Sequence, residues 1–177
     1  MKFPQNKEVK LRPLELPDVE KLAALANNRN ISVNLRDGFP HPYTTKDAKA
    51  FIEKCIGQNP TTTFAIEYKG NYIGNIGLVL GTDVYNRSAE IGYFLGEQFW
   101  NKGIMTMAVN LITNYGFEIL NLVRIHTGIF DYNLASVRVL EKCGFQKEGV
   151  FKRAVFKNGK FNDEIRFAKL RTDQSSL

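Results

Sequence analysis

The stretch Gln98-Phe99-Trp100-Asn101-Lys102-Gly103-Ile104-Met105-Thr106 joins a strand-like run, residues 90–95, to a long amphipathic helix. A strand that passes through a glycine-centred turn into a helix leaves several backbone N–H groups unpaired and pointing the same way. Such groups form a binding site for a phosphate or diphosphate. The stretch therefore predicts a nucleotide-type cofactor at this turn, although Gly103 could also serve only as a tight strand-to-helix connection.

The helix after the turn has its apolar residues on one face. They recur at spacings of four, three, one, three and four, the pattern of a single buried stripe. The first turn has no acidic residue to repel an anion, and Lys102 adds positive charge where the helix dipole already favours negative groups. The stripe comprises Ile104, Ala108, Leu111, Ile112, Tyr115 and Ile119.

A second motif, residues 133–145, reads Asn-Leu-Ala-Ser-Val-Arg-Val-Leu-Glu-Lys-Cys-Gly-Phe. Asn133 is typical of a helix N-cap and Gly144 of the residue that ends a helix, so a short helix is predicted between them. Ser136 lies three residues after Asn133, which places an amide and a hydroxyl on the same side of the first turn. The pair could contact one ligand, or Asn133 could only cap the helix and Ser136 could only be a small residue at a helix crossing.

Together the two motifs resemble the GNAT superfamily of acetyl-CoA-dependent N-acetyltransferases, and more narrowly its RimJ/RimL-type branch of ribosomal-protein N-terminal acetyltransferases. The run Ile91-Gly92-Tyr93, the N-terminal run Leu11-Arg12-Pro13-Leu14 and residues 34–44 also look like this branch. The resemblance spans nearly the whole chain in one order, which is more specific than a lone glycine-rich turn. It implies the GNAT (acyl-CoA N-acyltransferase) fold, an α/β architecture with a mixed, mostly antiparallel sheet and helices on both faces.

The resemblance also implies where acetyl-CoA or CoA binds. The strand ending at Leu95 would splay from its neighbour, and backbone groups of Phe94 and Leu95 would bind the pantetheine arm, with one N–H near the thioester oxygen. Asn133 would hold the arm, and no metal is expected. The cofactor-binding residues implied in this way are Phe94, Leu95, Trp100, Asn101, Lys102, Gly103, Ile104, Met105, Thr106, Asn133 and Lys142.

Two positions of the turn depart from the family pattern. Asn101 stands where the family usually has Gly, and Met105 stands where it usually has Ala or Gly. Asn tolerates the left-handed region better than other non-Gly residues, so the turn can still form. Met105 would crowd the phosphates unless its side chain points into the core. We therefore expect CoA binding to be retained, with a weaker affinity as the risk.

Amine acetylation requires a base for the amine and a proton or hydrogen bond for the leaving thiolate. Many GNAT members use a Tyr on the short helix as the acid, but this chain has Leu140 at that place. The resemblance to the RimJ/RimL branch implies instead that Ser136 donates a proton or a hydrogen bond to the leaving sulfur. Glu90 is predicted to be the base, acting directly or through water, although it could instead pair with a neighbouring Arg or Lys. His126 is less attractive as a base because it lies among strand residues.

The amine acceptor is expected to meet an irregular segment, residues 28–43. The sequence does not define the acceptor: the resemblance implies a protein N-terminus, including that of a ribosomal protein, while a polyamine, an amino acid or an aminoglycoside-like amine stays open. Asp37 could equally cap a turn. The residues expected to contact the acceptor are Arg36, Asp37, His41, Tyr43 and Tyr93.

Length and composition favour one core. A chain of 177 residues with 44% hydrophobic content fits a single domain, residues 1–177. No window approaches a membrane span, and residues 1–7 contain no long apolar segment, so we expect a cytoplasmic protein. Cys55 and Cys143 have no metal-type spacing and are expected to be buried apolar residues.

The net charge of +6 is concentrated between Arg138 and Arg171, where ten basic residues face four acidic ones. This basic third could attract RNA or the ribosome, hold the phosphates of CoA, or simply be a solvated face. The alternative function is therefore a non-catalytic CoA-binding or RNA-associated module with the same fold. The aromatic residues of the last predicted hairpin could pair two subunits into a homodimer.

Turn and capping residues predict the remaining strands and helices. Lys157-Asn158-Gly159-Lys160 is the strongest hairpin signal, and Thr44 with Asp47 predicts a helix N-terminus. The expected strands are residues 9–13, 62–68, 72–80, 90–95, 123–130, 151–156 and 161–170, and the remaining helices are residues 17–27 and 45–55.

Overall fold

The computed structural model describes residues 8–172, so the start of the chain, predicted to lack a targeting segment, lies outside the described part. Within residues 8–172, strands and helices largely follow the predicted order. The elements are β1 Val9–Pro13, α1 Val19–Ala26, α2 Arg29–Ser32, α3 Thr45–Ile56, β2 Thr63–Tyr68, β3 Asn71–Leu80, β4 Ser88–Leu95, α4 Ile104–Glu118, β5 Arg124–Phe130, α5 Leu134–Lys142, β6 Gln146–Lys157 and β7 Lys160–Leu170.

Local signals account for several element ends. Thr44 and Asp47 form the predicted reciprocal capping box at the start of α3. Asn158 and Gly159 both have positive φ, which is the backbone that a tight hairpin turn requires, and they join β6 to β7 as predicted. The N-cap of α5 is Asn133, whose side-chain oxygen accepts the Ser136 N–H at 3.2 Å.

Other element ends differ from the prediction. The helix expected from residue 17 opens as a 3-10 turn, Leu16–Asp18, in which the Asp18 carboxylate accepts the Glu15 N–H, and α1 follows it. The segment expected to be irregular contains the one-turn helix α2, because the Asn28 side chain accepts the Asn30 N–H at 2.8 Å. Strand β6 starts before residue 151 because it continues to pair with β7 past two register shifts.

The sheet has the strand order β1-β2-β3-β4-β5-β7-β6. Every neighbouring pair is antiparallel except β4 and β5, which are parallel. The pairing of β4 with β5 covers only Ser88, Ala89 and Glu90, opposite Arg124, Ile125 and His126. The rest of β4 pairs with β3 on its other side but has no register partner on β5. The predicted mixed, mostly antiparallel sheet is confirmed.

Helices cover both faces of the sheet, as predicted. On one face α4 contacts β1, β3 and β5, while on the other α1 and α3 pack around Ala65, Tyr72 and Phe94. The α4 stripe is buried except Ile119, which is 62% exposed because α4 ends at Glu118. None of the helices in residues 8–172 combines the length and hydropathy needed to cross a bilayer.

Candidate active site

The open edge of β4 is the first feature of the site. After Glu90 the strands β4 and β5 separate, so the β4 edge facing the gap has no strand partner in the described structure. Phe94 and Leu95 lie in this unpaired part and are buried, and the Leu95 carbonyl accepts the indole N–H of Trp100 at 2.8 Å. That hydrogen bond ties the following turn to the end of the strand. Main-chain groups along the gap can pair with an extended ligand as a neighbouring strand would.

The turn before α4 has an uncapped helix N-terminus. Asn101 and Gly103 both have positive φ, +59° and +72°, so Asn101 takes the left-handed conformation expected of a glycine position. Gly103 is the N-cap of α4, no side chain caps the helix, and its first turn has no acidic residue. Lys102 is exposed and donates to the Gln98 carbonyl at 2.9 Å, which braces the turn. The free N–H groups and the positive end of α4 fit a diphosphate.

Met105 does not crowd this turn. Its side chain is only 9% exposed and packs into the same core cluster as Ile104 and Ala108. The side chain therefore meets the condition that the sequence set, since it packs with the core, while the residue also borders the cavity. Both departures from the family pattern are accommodated by the fold.

Replacing Asn101 by Val is expected to destabilise the turn by about 1–2 kcal/mol, since a β-branched residue is strained at positive φ. CoA affinity should fall with it, because the turn carries the free N–H groups. Asn101→Gly is the matched control and should change neither quantity by more than a few tenths of a kcal/mol. Thermal unfolding and calorimetric titration with CoA measure both effects. Unchanged CoA affinity in a destabilised Val variant would contradict the role assigned to the turn.

Ser136 lies beside the buried hydroxyl of Tyr93. Ser136 is half-buried on the first turn of α5, and its backbone N–H, not its side chain, forms the cap with Asn133. The Tyr93 oxygen is buried and has no hydrogen-bond partner in the described structure. Burial raises the pKa of Tyr93 to about 12, and the nearby Ser136 hydroxyl opposes that shift without reaching hydrogen-bond geometry. The unpartnered Tyr93 hydroxyl, which lies beside Ser136 where α5 faces β4, can form a hydrogen bond with a polar atom of a ligand.

The segment before α3 is tied to the rest of the site by ion pairs. Arg36 contacts both carboxylate oxygens of Glu90, with Nη1 donating to Oε2 at 3.1 Å. The pKa of Arg36 is raised, mainly by this hydrogen bonding to Glu90. Asp37 does not cap a turn but pairs with the Lys157 ammonium at 2.6 Å. The segment is therefore attached to β4 and to the β6–β7 hairpin.

One cavity of about 990 Å³ connects these features. It runs from the turn before α4 to the Arg36 segment, and its wall includes both predicted catalytic residues, Ser136 and Glu90. His41 is exposed and does not line it, so the structure does not bring His41 to the acceptor end. All other predicted contacts line the cavity: Arg36, Asp37, Tyr43, Tyr93, Phe94, Leu95, Trp100, Asn101, Lys102, Gly103, Ile104, Met105, Thr106, Asn133 and Lys142.

His126 is the register partner of Glu90 on β5. It is half-buried and does not line the cavity, and desolvation lowers its pKa. Because Glu90 lines the cavity and His126 does not, Glu90 is the better candidate for the base.

Asn75 and Arg138 are among the cavity residues that the sequence did not predict. Asn75 is a buried polar residue of β3 whose side-chain oxygen accepts the Tyr72 hydroxyl at 2.7 Å. An Asn within a strongly apolar strand was the available signal. Arg138 lines the cavity on α5, and its spacing of four from Lys142 was the signal that both lie on one helix face.

The open parallel strand pair, the uncapped helix N-terminus and the cavity shared by Glu90 and Ser136 together fit a transferase that uses a CoA thioester. Comparison with known proteins agrees. The acetyltransferase (GNAT) domain family matches residues 8–146, and the chain belongs to this family. It is an acetyl-CoA-dependent N-acetyltransferase.

Three similar proteins illustrate the family. The spermidine N(1)-acetyltransferase of Escherichia coli K12 is 31% identical over 170 residues, covering 93% of this chain and 87% of that protein. The microcin C7 self-immunity acetyltransferase MccE, solved with acetyl-CoA and AMP, is 30% identical with a TM-score of 0.80 and 94% coverage of both chains. The Vibrio cholerae spermidine N-acetyltransferase, solved with CoA and spermine, is 30% identical with a TM-score of 0.79, covering 93% and 96%.

The narrower RimJ/RimL branch is not confirmed. The RimL ribosomal L7/L12 acetyltransferase in complex with CoA superposes with a TM-score of 0.84 over 95% of this chain and 97% of that one, but at 21% identity. That likeness shows the shared fold alone. Sequence matches at about 30% identity include spermidine acetyltransferases, so the branch is left unassigned.

Proposed function

We propose that this N-acetyltransferase moves the acetyl group to a primary amine by direct attack within a ternary complex. The observation that carries the proposal is the continuous cavity, which joins the anion-binding turn to the acceptor wall and exposes Glu90 and Ser136 between them. A single space of this kind holds both substrates at once, so no acyl-enzyme is needed.

Acetyl-CoA supplies the acetyl group as a thioester. During transfer the N–C bond forms and the C–S bond breaks, while the amine loses a proton and the sulfur becomes a leaving thiolate. Glu90 takes the proton, directly or through water, and the free N–H groups of β4 offer hydrogen bonds to the growing negative charge on the carbonyl oxygen. The Ser136 hydroxyl donates a hydrogen bond to the leaving sulfur.

The acceptor is tested by an amine panel. Thiol release from acetyl-CoA is followed with polyamines, amino acids, aminoglycosides and short peptides with free N-termini. Spermidine belongs in the panel because two of the named relatives are spermidine acetyltransferases, and a peptide N-terminus because the RimL neighbour is named a ribosomal-protein acetyltransferase. Acceptor-dependent thiol release with a mass gain of one acetyl group on the amine is expected. CoA binding without release in every arm would favour a non-catalytic CoA-binding module.

An RNA-associated role has less support. Several cations of the basic third already have carboxylate partners: Lys152 pairs with Asp163 at 2.7 Å, and Lys157 pairs with Asp37. Tight RNA binding that falls steeply with salt would be the result that supports this role instead.

Replacing Ser136 by Ala is expected to lower kcat about tenfold, the effect of losing one hydrogen bond in the transition state. The helix should be unaffected, because the α5 cap uses the Ser136 backbone N–H. The dissociation constant of acetyl-CoA should change little. Steady-state kinetics and calorimetry give both numbers, and an unaltered kcat would remove Ser136 from the mechanism.

A further inference from the structure

We propose that the acceptor is a zwitterionic amine, that is, a primary amine with a carboxylate or phosphate a few bonds away. Its two charged groups replace the Arg36–Glu90 ion pair, each binding one member of it. This inference rests on the proposed function and names the substrate class of the same site. The acceptor ammonium or amine lies at Glu90, and its anionic group lies at the Arg36 guanidinium.

The pair occupies the place where the acceptor must react. Glu90 is the last β4 residue paired with β5, so it stands where the gap begins, and both of its carboxylate oxygens contact Arg36. An amine that approaches Glu90 must therefore compete with the guanidinium. The Arg36 side chain is 64% exposed, and such an exposed pair contributes about 1 kcal/mol or less, so it opens readily.

Opening the pair has an electrostatic consequence. An amine that takes only Glu90 removes the carboxylate that contacts the Arg36 guanidinium, leaves the more distant Glu164 as its acidic neighbour, and brings a second cation close to it. An acceptor with an anionic group replaces one ion pair by two, and a guanidinium binds carboxylate and phosphate in the same two-pronged geometry. The site therefore selects acceptors that carry both charges.

The other acids of the cavity wall also have partners. Asp37 pairs with Lys157, and Asp47 accepts the Thr44 N–H at 2.9 Å within the α3 capping box. The wall in addition carries cations at Lys102, Arg138 and Lys142. A polyamine gains most where several carboxylates face it without nearby cations, whereas here Glu90 and Asp37 are each paired with a cation and four cations face three carboxylates on the wall. Charge balance thus favours a zwitterion over a polycation.

Matched acceptors test the inference. β-Alanine is compared with β-alaninamide, 3-aminopropyl phosphate with 3-aminopropanol, and spermidine is the polycation, with each kcat/KM corrected for the neutral-amine fraction. The anionic member of at least one pair is expected to have a kcat/KM about tenfold higher, about the effect of one charge-assisted hydrogen bond. The pair that shows the larger ratio identifies carboxylate or phosphate as the anion.

Arg36→Gln should collapse that ratio towards one, mainly by raising KM for the anionic member, and Arg36→Lys should give an intermediate ratio. Arg153→Gln is the matched control, since Arg153 is exposed and outside the cavity, and it should leave the ratio unchanged. Preference for spermidine or for the neutral members, or a ratio that Arg36→Gln does not alter, overturns the inference. If no amine in the wider panel supports thiol release, the proposed function itself fails.

Discussion

Replacing Gly74 by Ala is expected to destabilise the protein by about 3 kcal/mol, the upper range for forcing extra atoms into a packed interior. A Cβ at Gly74 would lie 3.0 Å from the Leu95 Cα and closer still to the Phe94 carbonyl oxygen. These are backbone atoms of β4, so no side-chain rotation can relieve the contact, and β3 and β4 must move apart. Because Phe94 and Leu95 border the cavity, CoA affinity should fall as well. Urea unfolding and calorimetric titration measure the two losses.

Gly92→Ala is the matched control for stability. Gly92 lies on β4 of the same sheet, its φ is not in the left-handed region, and a Cβ there would meet nothing within 4 Å. This variant should be as stable as the native protein, or more so by a few tenths of a kcal/mol, because Ala has less backbone freedom in the unfolded chain. Equal stability of the Gly74 and Gly92 variants would mean that β3 and β4 are not packed as described.

Replacing Glu90 by Gln is expected to lower kcat/KM by about 10²–10³-fold, within the range of positioned general bases. The amide keeps the shape of the carboxylate but cannot take a proton from the amine. Acetyl-CoA affinity should stay within about twofold, because the anion site at the turn before α4 does not use Glu90. Steady-state rates across a pH series, with a fixed acceptor, make the measurement.

Glu53→Gln is the control for loss of one carboxylate. Glu53 is 57% exposed on α3 and does not line the cavity, and within residues 8–172 its ion pair is with Lys49 at 3.8 Å. It should retain the native rate. If the Glu90 variant keeps the native rate and the native pH dependence of kcat/KM, Glu90 is not the base and its pairing with Arg36 is its whole role.

Features that depend on neighbouring residues were readable from the sequence. The Thr44–Asp47 capping box, the Asn158-Gly159 turn and the Asn133 cap each use groups within three residues of one another, so spacing alone defines them. The positive φ of Asn101 was expected through the family resemblance, because the family usually has Gly at this position. The open edge of β4 was expected only through the family resemblance, since spacing says nothing about where two strands separate.

Features that depend on distant residues were not readable. Arg36 and Glu90 are 54 residues apart, and several basic residues were equally eligible partners for Glu90. The direction of the Met105 side chain depends on how α4 packs against the core, which its own helix does not determine. His41 was assigned to the acceptor wall because its neighbours Arg36 and Tyr43 belong there, but its side chain faces solvent.

The short parallel pairing of β4 with β5 divides the sheet into two halves, strands β1 to β4 and strands β5 to β7. Three residue pairs join the two halves along this line, and α4 also connects them by packing on β1, β3 and β5. The extended arm of the CoA thioester, bound between β4 and β5, would therefore hold the two halves of the sheet together as well as carry the acetyl group. The sheet would therefore be more stable while acetyl-CoA is bound and less stable after CoA leaves, so its stability would change during each catalytic cycle.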